Sequence, residues 1–219
     1  MSELTLVIGN KNYSSWSLRP WLVLKQFDIP FTEIRIPLYE PGAQEKILRH
    51  TPAGKVPVLH DGDITVWDSL AICEYLAERF PDRQLWPTHP AARALARAIC
   101  AEMHTGFADL RQHMNMNIRG HFPGKGLTPE VAQDIARIQA IWRDCRARAA
   151  PGGPYLFGAF SIADAFFAPV VLRFATYAPA LDDNAHAYMQ AVLALPALKE
   201  WITAAQAETE TIPTFELYR

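Results

Sequence analysis

Cysteine is scarce in this chain: three in 219 residues, Cys73, Cys100 and Cys145, each set among Ala, Ile or Trp. So few and so scattered, they make neither a disulfide framework nor a zinc site. They read as small buried hydrophobes in a reducing compartment, which makes the cytoplasm the expected location and leaves no metal expected. A surplus of one charge is missing too. Lys and Arg number 21 against 23 Asp and Glu, a net charge of −2, without the basic footprint of a nucleic-acid binder. No run approaches the ~20 apolar residues of a membrane span. Met1-Ser2-Glu3-Leu4-Thr5 lacks the basic flank and apolar core of a secretory leader. Internal repeats and low-complexity tracts are absent as well. What is present is apolar mass: 50% hydrophobic residues, with six Trp, seven Tyr and eleven Phe. That composition excludes a disordered chain, and the length suits one large domain or two small ones.

The first eighty residues alternate strand and helix signals. Leu4–Ile8 and Phe31–Ile36 alternate as strands, and Trp16–Lys25 reads as a helix. A short helix is expected over Gln44–Arg49. Val58-Leu59 and Ile64–Val66 flank Asp61-Gly62, a hairpin signal. Ser69–Phe80 places Leu70, Cys73, Leu76, Ala77 and Phe80 on one helical face. The order is β-α-β-α-β-β-α. Pro81, Pro87 and Pro90 mark residues 81–90 as a linker. Beyond it the strand signal fades. Helices are expected over Ala91 to about Asn117, Glu130–Ala149, Ile162 to about Thr176, and Ala185–Glu208, with a Gly/Pro loop over 120–129 and a firm break at Pro151-Gly152-Gly153-Pro154. An α/β domain (1–80) thus precedes an all-α domain (91–219).

Three local patterns carry chemistry. Asn12-Tyr13-Ser14-Ser15-Trp16-Ser17-Leu18-Arg19-Pro20 joins the first strand to the first helix. Serine there caps orphan backbone N–H groups, and a hydroxyl at the positive end of a helix also stabilises a bound anion such as a thiolate. No His stands in this loop to act as a base, so the economical role for a serine is hydrogen-bond donor rather than nucleophile. Ala53-Gly54-Lys55-Val56-Pro57-Val58 puts a proline at a strand entrance, where a cis bond would expose the Val56 backbone groups. Trp67-Asp68-Ser69 opens a helix with a cap pair that doubles as an anion site. In the second half, Ser161-x-x-Asp164 ahead of an apolar run reads as a capping box with a folding role.

Taken together, the element order, the serine loop, the Val-Pro step and the Asp-Ser helix start resemble the glutathione transferases over essentially the whole chain. That resemblance implies a thioredoxin-like N-terminal domain and an all-helical C-terminal domain. Ser14-Ser15-Trp16-Ser17-Leu18-Arg19 is most similar to the Ser-Ser-Cys-x-x-Arg motif of the zeta class, with Trp16 in the place of Cys and Asp68 where that class commonly has Gln. The activity implied is attack of the glutathione thiolate on a small electrophile, by conjugation or peroxide reduction, in a cytoplasmic homodimer serving detoxification. A maleylacetoacetate-type cis-trans isomerase, or a non-catalytic binding protein on the same fold, is the alternative. Carried over by motif, Ser15, with Ser14 next, would meet the thiol. The Val56 backbone before Pro57 would pair with the cysteinyl part, and Asp68 and Ser69 would hold the γ-glutamyl group. Lys55 and His50 would meet the glycyl carboxylate, while Tyr13, Trp16, Arg111 and Asn115 would line the electrophile site. The magnitude closes without a metal. Moving a thiol from ~8.5 to below neutral takes ~3 kcal/mol, against ~1.5–3 from a charge-assisted hydrogen bond and roughly 0.3–1 from a helix end.

Overall fold

A computed structural model describes residues 3–149 and 153–218. Leu4–Ile8 (β1), Ser15–Gln26 (α1), Phe31–Arg35 (β2), Ala43–Leu48 (α2), Val58–Asp61 (β3), Ile64–Trp67 (β4) and Ser69–Arg79 (α3) follow the expected order. The sheet runs β2-β1-β3-β4, with β1 parallel to β2 and antiparallel to β3, and β3 antiparallel to β4. Alternation along β1 sorts its side chains between two faces. Leu4, Leu6 and Ile8 join the main core with Leu18, Leu22 and Ile72 from α1 and α3. Val7 and Val58 face the other way, onto Ala43 and Ile47 of α2. Gly62 (φ +59) makes the tight turn between β3 and β4.

The second half is helical: α4 (Pro90–Thr105), α5 (Ala108–His113), α6 (Pro129–Arg148), α7 (Ile162–Tyr177), α8 (Asp183–Leu193) and α9 (Pro196–Ala207). Two of these divide what periodicity joins. The helix expected over 91–117 stops at Gly106, whose N–H closes α4 on the Glu102 carbonyl, and Phe107 turns at φ +56 into α5. Glycine is a weak helix former and releases the chain there. His104 and Arg111 therefore sit on different helices, and Asn115 and Arg119 follow the end of α5. The stretch 185–208 divides at Pro196, which opens α9 at its first position. Pro151 and Gly152 of the expected break lie outside the described residues.

Buried α7 is the spine of the helical half and packs on α1 and α4. Its start is held by Asp164, whose carboxylate accepts from the Ser161 N–H at 2.9 Å, the Ser161 hydroxyl at 3.2 Å, the Leu156 N–H at 3.0 Å and the Tyr188 hydroxyl at 3.1 Å. Beyond α9 the tail returns to the first half. The Lys11 and Asn12 N–H groups donate to the Glu208 carboxylate at 2.7 and 3.0 Å, and Arg119 donates to the Glu208 carbonyl.

Candidate active site

The start of α1, the β2–α2 loop, the Gly54–Val56 turn, α5 and the returning tail enclose a cleft of about 570 Å³. Its lining includes Tyr13, Ser14, Ser15 and Trp16 from the start of α1, Lys55 and Val56 from the turn before β3, and Arg111, Asn115, Arg173, Ile212 and Phe215 from the helical half and the tail. The Val56–Pro57 bond is cis, and Gly54 ahead of it takes φ +61. A hollow of about 630 Å³ lies apart from this cleft, beside Trp86, Leu95 and Phe157, and holds none of the candidate residues.

The two serines stand in different situations. Ser14 caps α1: its Oγ accepts from the Ser17 N–H at 3.4 Å and donates to the Ser17 Oγ at 2.7 Å. Ser15 is the first residue of the helix and only 7% exposed. Its Oγ accepts from Nη2 of Arg173, on α7, at 3.3 Å. The helix makes no demand on that hydroxyl, and its proton is free for a ligand.

Three guanidinium groups surround this corner. Arg19 stacks on Trp16 at 4.3 Å and Phe166 at 4.6 Å and donates to the Ser69 hydroxyl at 3.3 Å. Arg111 donates to the Met103 and His104 carbonyls at the C-terminal end of α4, where a helix favours a cation. Arg173 is 4% exposed. Burial, with the Arg19 and Arg111 charges nearby, lowers its pKa to about 9.

Other candidates lie farther out. Asp68 and Ser69 are not among the cleft-lining residues. Asp68, at φ +75, caps α3 through the Leu70 and Ala71 N–H groups and meets Nε2 of His104 at 3.1 Å. The Ser69 hydroxyl accepts from Arg19 at 3.3 Å, as the Ser15 hydroxyl does from Arg173. His50 is also outside the lining and faces His60, nitrogen to nitrogen at 3.3 Å. Tyr13 lines the cleft, but its hydroxyl donates to Glu216 at 2.5 Å and accepts from Arg119 at 2.9 Å. Burial and Glu216 raise its pKa, keeping the phenol protonated.

Comparison with known proteins decides the family. Residues 13–79 match the glutathione S-transferase N-terminal domain and residues 128–204 the C-terminal domain. The chain belongs to the glutathione S-transferase family. A probable maleylacetoacetate isomerase of Caenorhabditis elegans is 31% identical over 154 residues, 68% of this chain and 70% of that protein. Glutathione S-transferase GstB of Escherichia coli K12 is 30% identical over 65% of this chain and 66% of its own. Among solved structures, a glutathione transferase homolog from Burkholderia with bound glutathione superposes with a TM-score of 0.72 at 20% identity, covering 94% of this chain and all of that one. At that identity the likeness speaks for the fold.

The sequence motifs of this family member did not point to Arg173 or to the tail residues Ile212, Phe215 and Glu216. Arg173 carried a signal: besides Asp164 it is the single charged residue in the sixteen of α7. The tail residues carried none, since a short polar stretch does not say where it returns.

Proposed function

We propose that the cleft binds glutathione and lowers the pKa of its thiol, so that the thiolate attacks a small electrophile. The observation that carries this reading is the contrast between the two serines: Ser14 is spent on capping α1, while the Ser15 hydroxyl, at the positive end of the same helix, is left to donate. The Val56 backbone beside the cis proline would hold the cysteinyl part, and Lys55 the glycyl carboxylate. Asp68 and the start of α3 would take the γ-glutamyl group at the far side of Trp16, the Asp68 carboxylate exchanging His104 for the ligand's ammonium. Arg111, Asn115, Ile212 and Phe215 would face the electrophile.

Calorimetric titration with glutathione tests binding, and thiolate absorbance of bound glutathione against pH tests activation. Ser15→Ala is expected to raise the bound thiol's pKa by about one to two units and cut turnover near neutral pH roughly ten- to a hundredfold, with a smaller effect on affinity. Absence of glutathione binding overturns the reading. Cis-trans isomerisation by reversible thiolate addition is the second reading. It is favoured by the 31% identity to the probable maleylacetoacetate isomerase. A panel of halides, epoxides, hydroperoxides and maleylacetone analogues separates the two.

A further inference from the structure

We infer that Arg173 is a positioning residue for the thiolate: from the helical half it fixes the Ser15 hydroxyl and adds its own positive charge to the sulfur's site. The inference rests on the glutathione-activating reading above and goes beyond it by making the helical half part of the activating machinery.

What sets this arginine apart is its place in the cleft. Arg19 is likewise buried, donates to one serine hydroxyl and has an unpartnered Nε, but it lies against Trp16 and Phe166 and does not line the cleft, while Arg111 is committed to two α4 carbonyls and the Trp16 face. Arg173 is buried and lines the cleft, its hydrogen bond goes to a neutral hydroxyl, and its Nε has no partner. Among the described residues no carboxylate forms an ion pair with it. A buried guanidinium so placed is costly to the fold until an anion comes within reach. The open side of Ser15 is the cleft, where the proposed thiolate would arrive.

Directionality supplies the second half of the argument. A guanidinium has donors and no acceptor. With Nη2 occupying one lone pair of Ser15 Oγ, the Ser15 proton cannot point at Arg173 and turns toward the cleft. The same contact polarises the O–H, strengthening it as a donor to sulfur. A positive charge within about 4–6 Å of a thiol typically lowers its pKa by about 1–3 units. The packing of α7 on α1 holds both residues in place before any ligand binds, so no reorganisation is needed.

The test titrates the thiolate absorbance of glutathione bound to wild-type protein, Arg173→Met, Arg173→Lys, Ser15→Ala and the Ser15→Ala/Arg173→Met double variant, with calorimetry fixing the affinity of each. Arg173→Met is expected to raise the bound thiol's pKa by more than about one unit and lower neutral-pH turnover more than about tenfold. Glutathione affinity should change less than about threefold, and methylguanidinium in the buffer should restore part of the turnover. Arg173→Lys, which keeps the charge and loses the fork, should fall between wild type and Met, and it carries the test if the Met variant does not fold. The double variant should shift less than the sum of the two singles, because both act on one hydroxyl. A wild-type protein that binds glutathione without lowering its thiol pKa overturns the activating reading and this inference with it. A lowered wild-type pKa that Arg173→Met or Arg173→Lys leaves unmoved overturns this inference alone. So does a variant whose defect is confined to the KM of an anionic electrophile, which would make Arg173 a substrate clamp.

Discussion

The Asp68 carboxylate meets Nε2 of His104 at 3.1 Å, bringing the first residue before α3 against the end of α4. Despite the short distance this is not an ion pair at neutral pH. Burial is the leading cause that lowers the His104 pKa, with Arg19 and Arg111 opposing a second cation, and together they outweigh the pull of Asp68. Nδ1 of His104 is buried without a partner. Protonation would therefore create an unsatisfied N–H.

A base held below its unfolded pKa binds fewer protons in the native state, so native stability rises with pH. His104 costs the fold nothing above its ordinary value of about 6.5. It destabilises progressively as pH falls through the lower folded value. His104→Gln should flatten that part of the curve. Urea midpoints of wild type and variant, measured from pH ~7 to ~5, check it, and parallel curves would remove His104 as the cause.

Ser14→Ala should cost about 1 kcal/mol of stability through loss of the α1 cap, leaving the titration of bound thiol close to wild type. Tyr13→Phe should also leave that titration unchanged, because the Tyr13 proton belongs to Glu216. A thiol pKa raised by Ser14→Ala rather than by Ser15→Ala would move the activating role one residue earlier.

Asp164→Ala should lower stability by on the order of 3 kcal/mol, since buried Leu156 and Ser161 N–H groups and the Tyr188 hydroxyl lose their acceptor together. Thermal unfolding reads the loss. A change within a few tenths of a kcal/mol would mean water replaces the carboxylate.

A twofold dimer is expected across the edge strand β4 and the neighbouring α3 and α4. Ile64 and Trp67 stand 49% and 46% exposed there, large apolar surface on an unpaired edge. Sedimentation velocity at micromolar concentration should give a dimer for wild type and a monomer for Trp67→Glu. A monomeric wild type defeats the expectation.

The order β-α-β-α-β-β-α, the Gly62 turn and the Ser161–Asp164 helix start were legible in the chain because each rests on neighbours: alternation, turn chemistry and capping act over a few residues. Ser14, Ser15 and Val56, which line the cleft, likewise lie in short motifs at element boundaries. Local period misled where it ran through Gly106-Phe107 and Leu195-Pro196, since apolar spacing continues across a break. Tertiary structure alone decided that Ser15 meets Arg173, 158 residues away, whereas Ser14 is spent locally on Ser17. It decided too that Tyr13 is spent on Glu216, 203 residues on, and that Arg111 folds back onto α4. Hydrophobic periodicity says which face of an element turns inward. Which buried polar groups then meet depends on how the elements are laid against one another, and no local pattern records that.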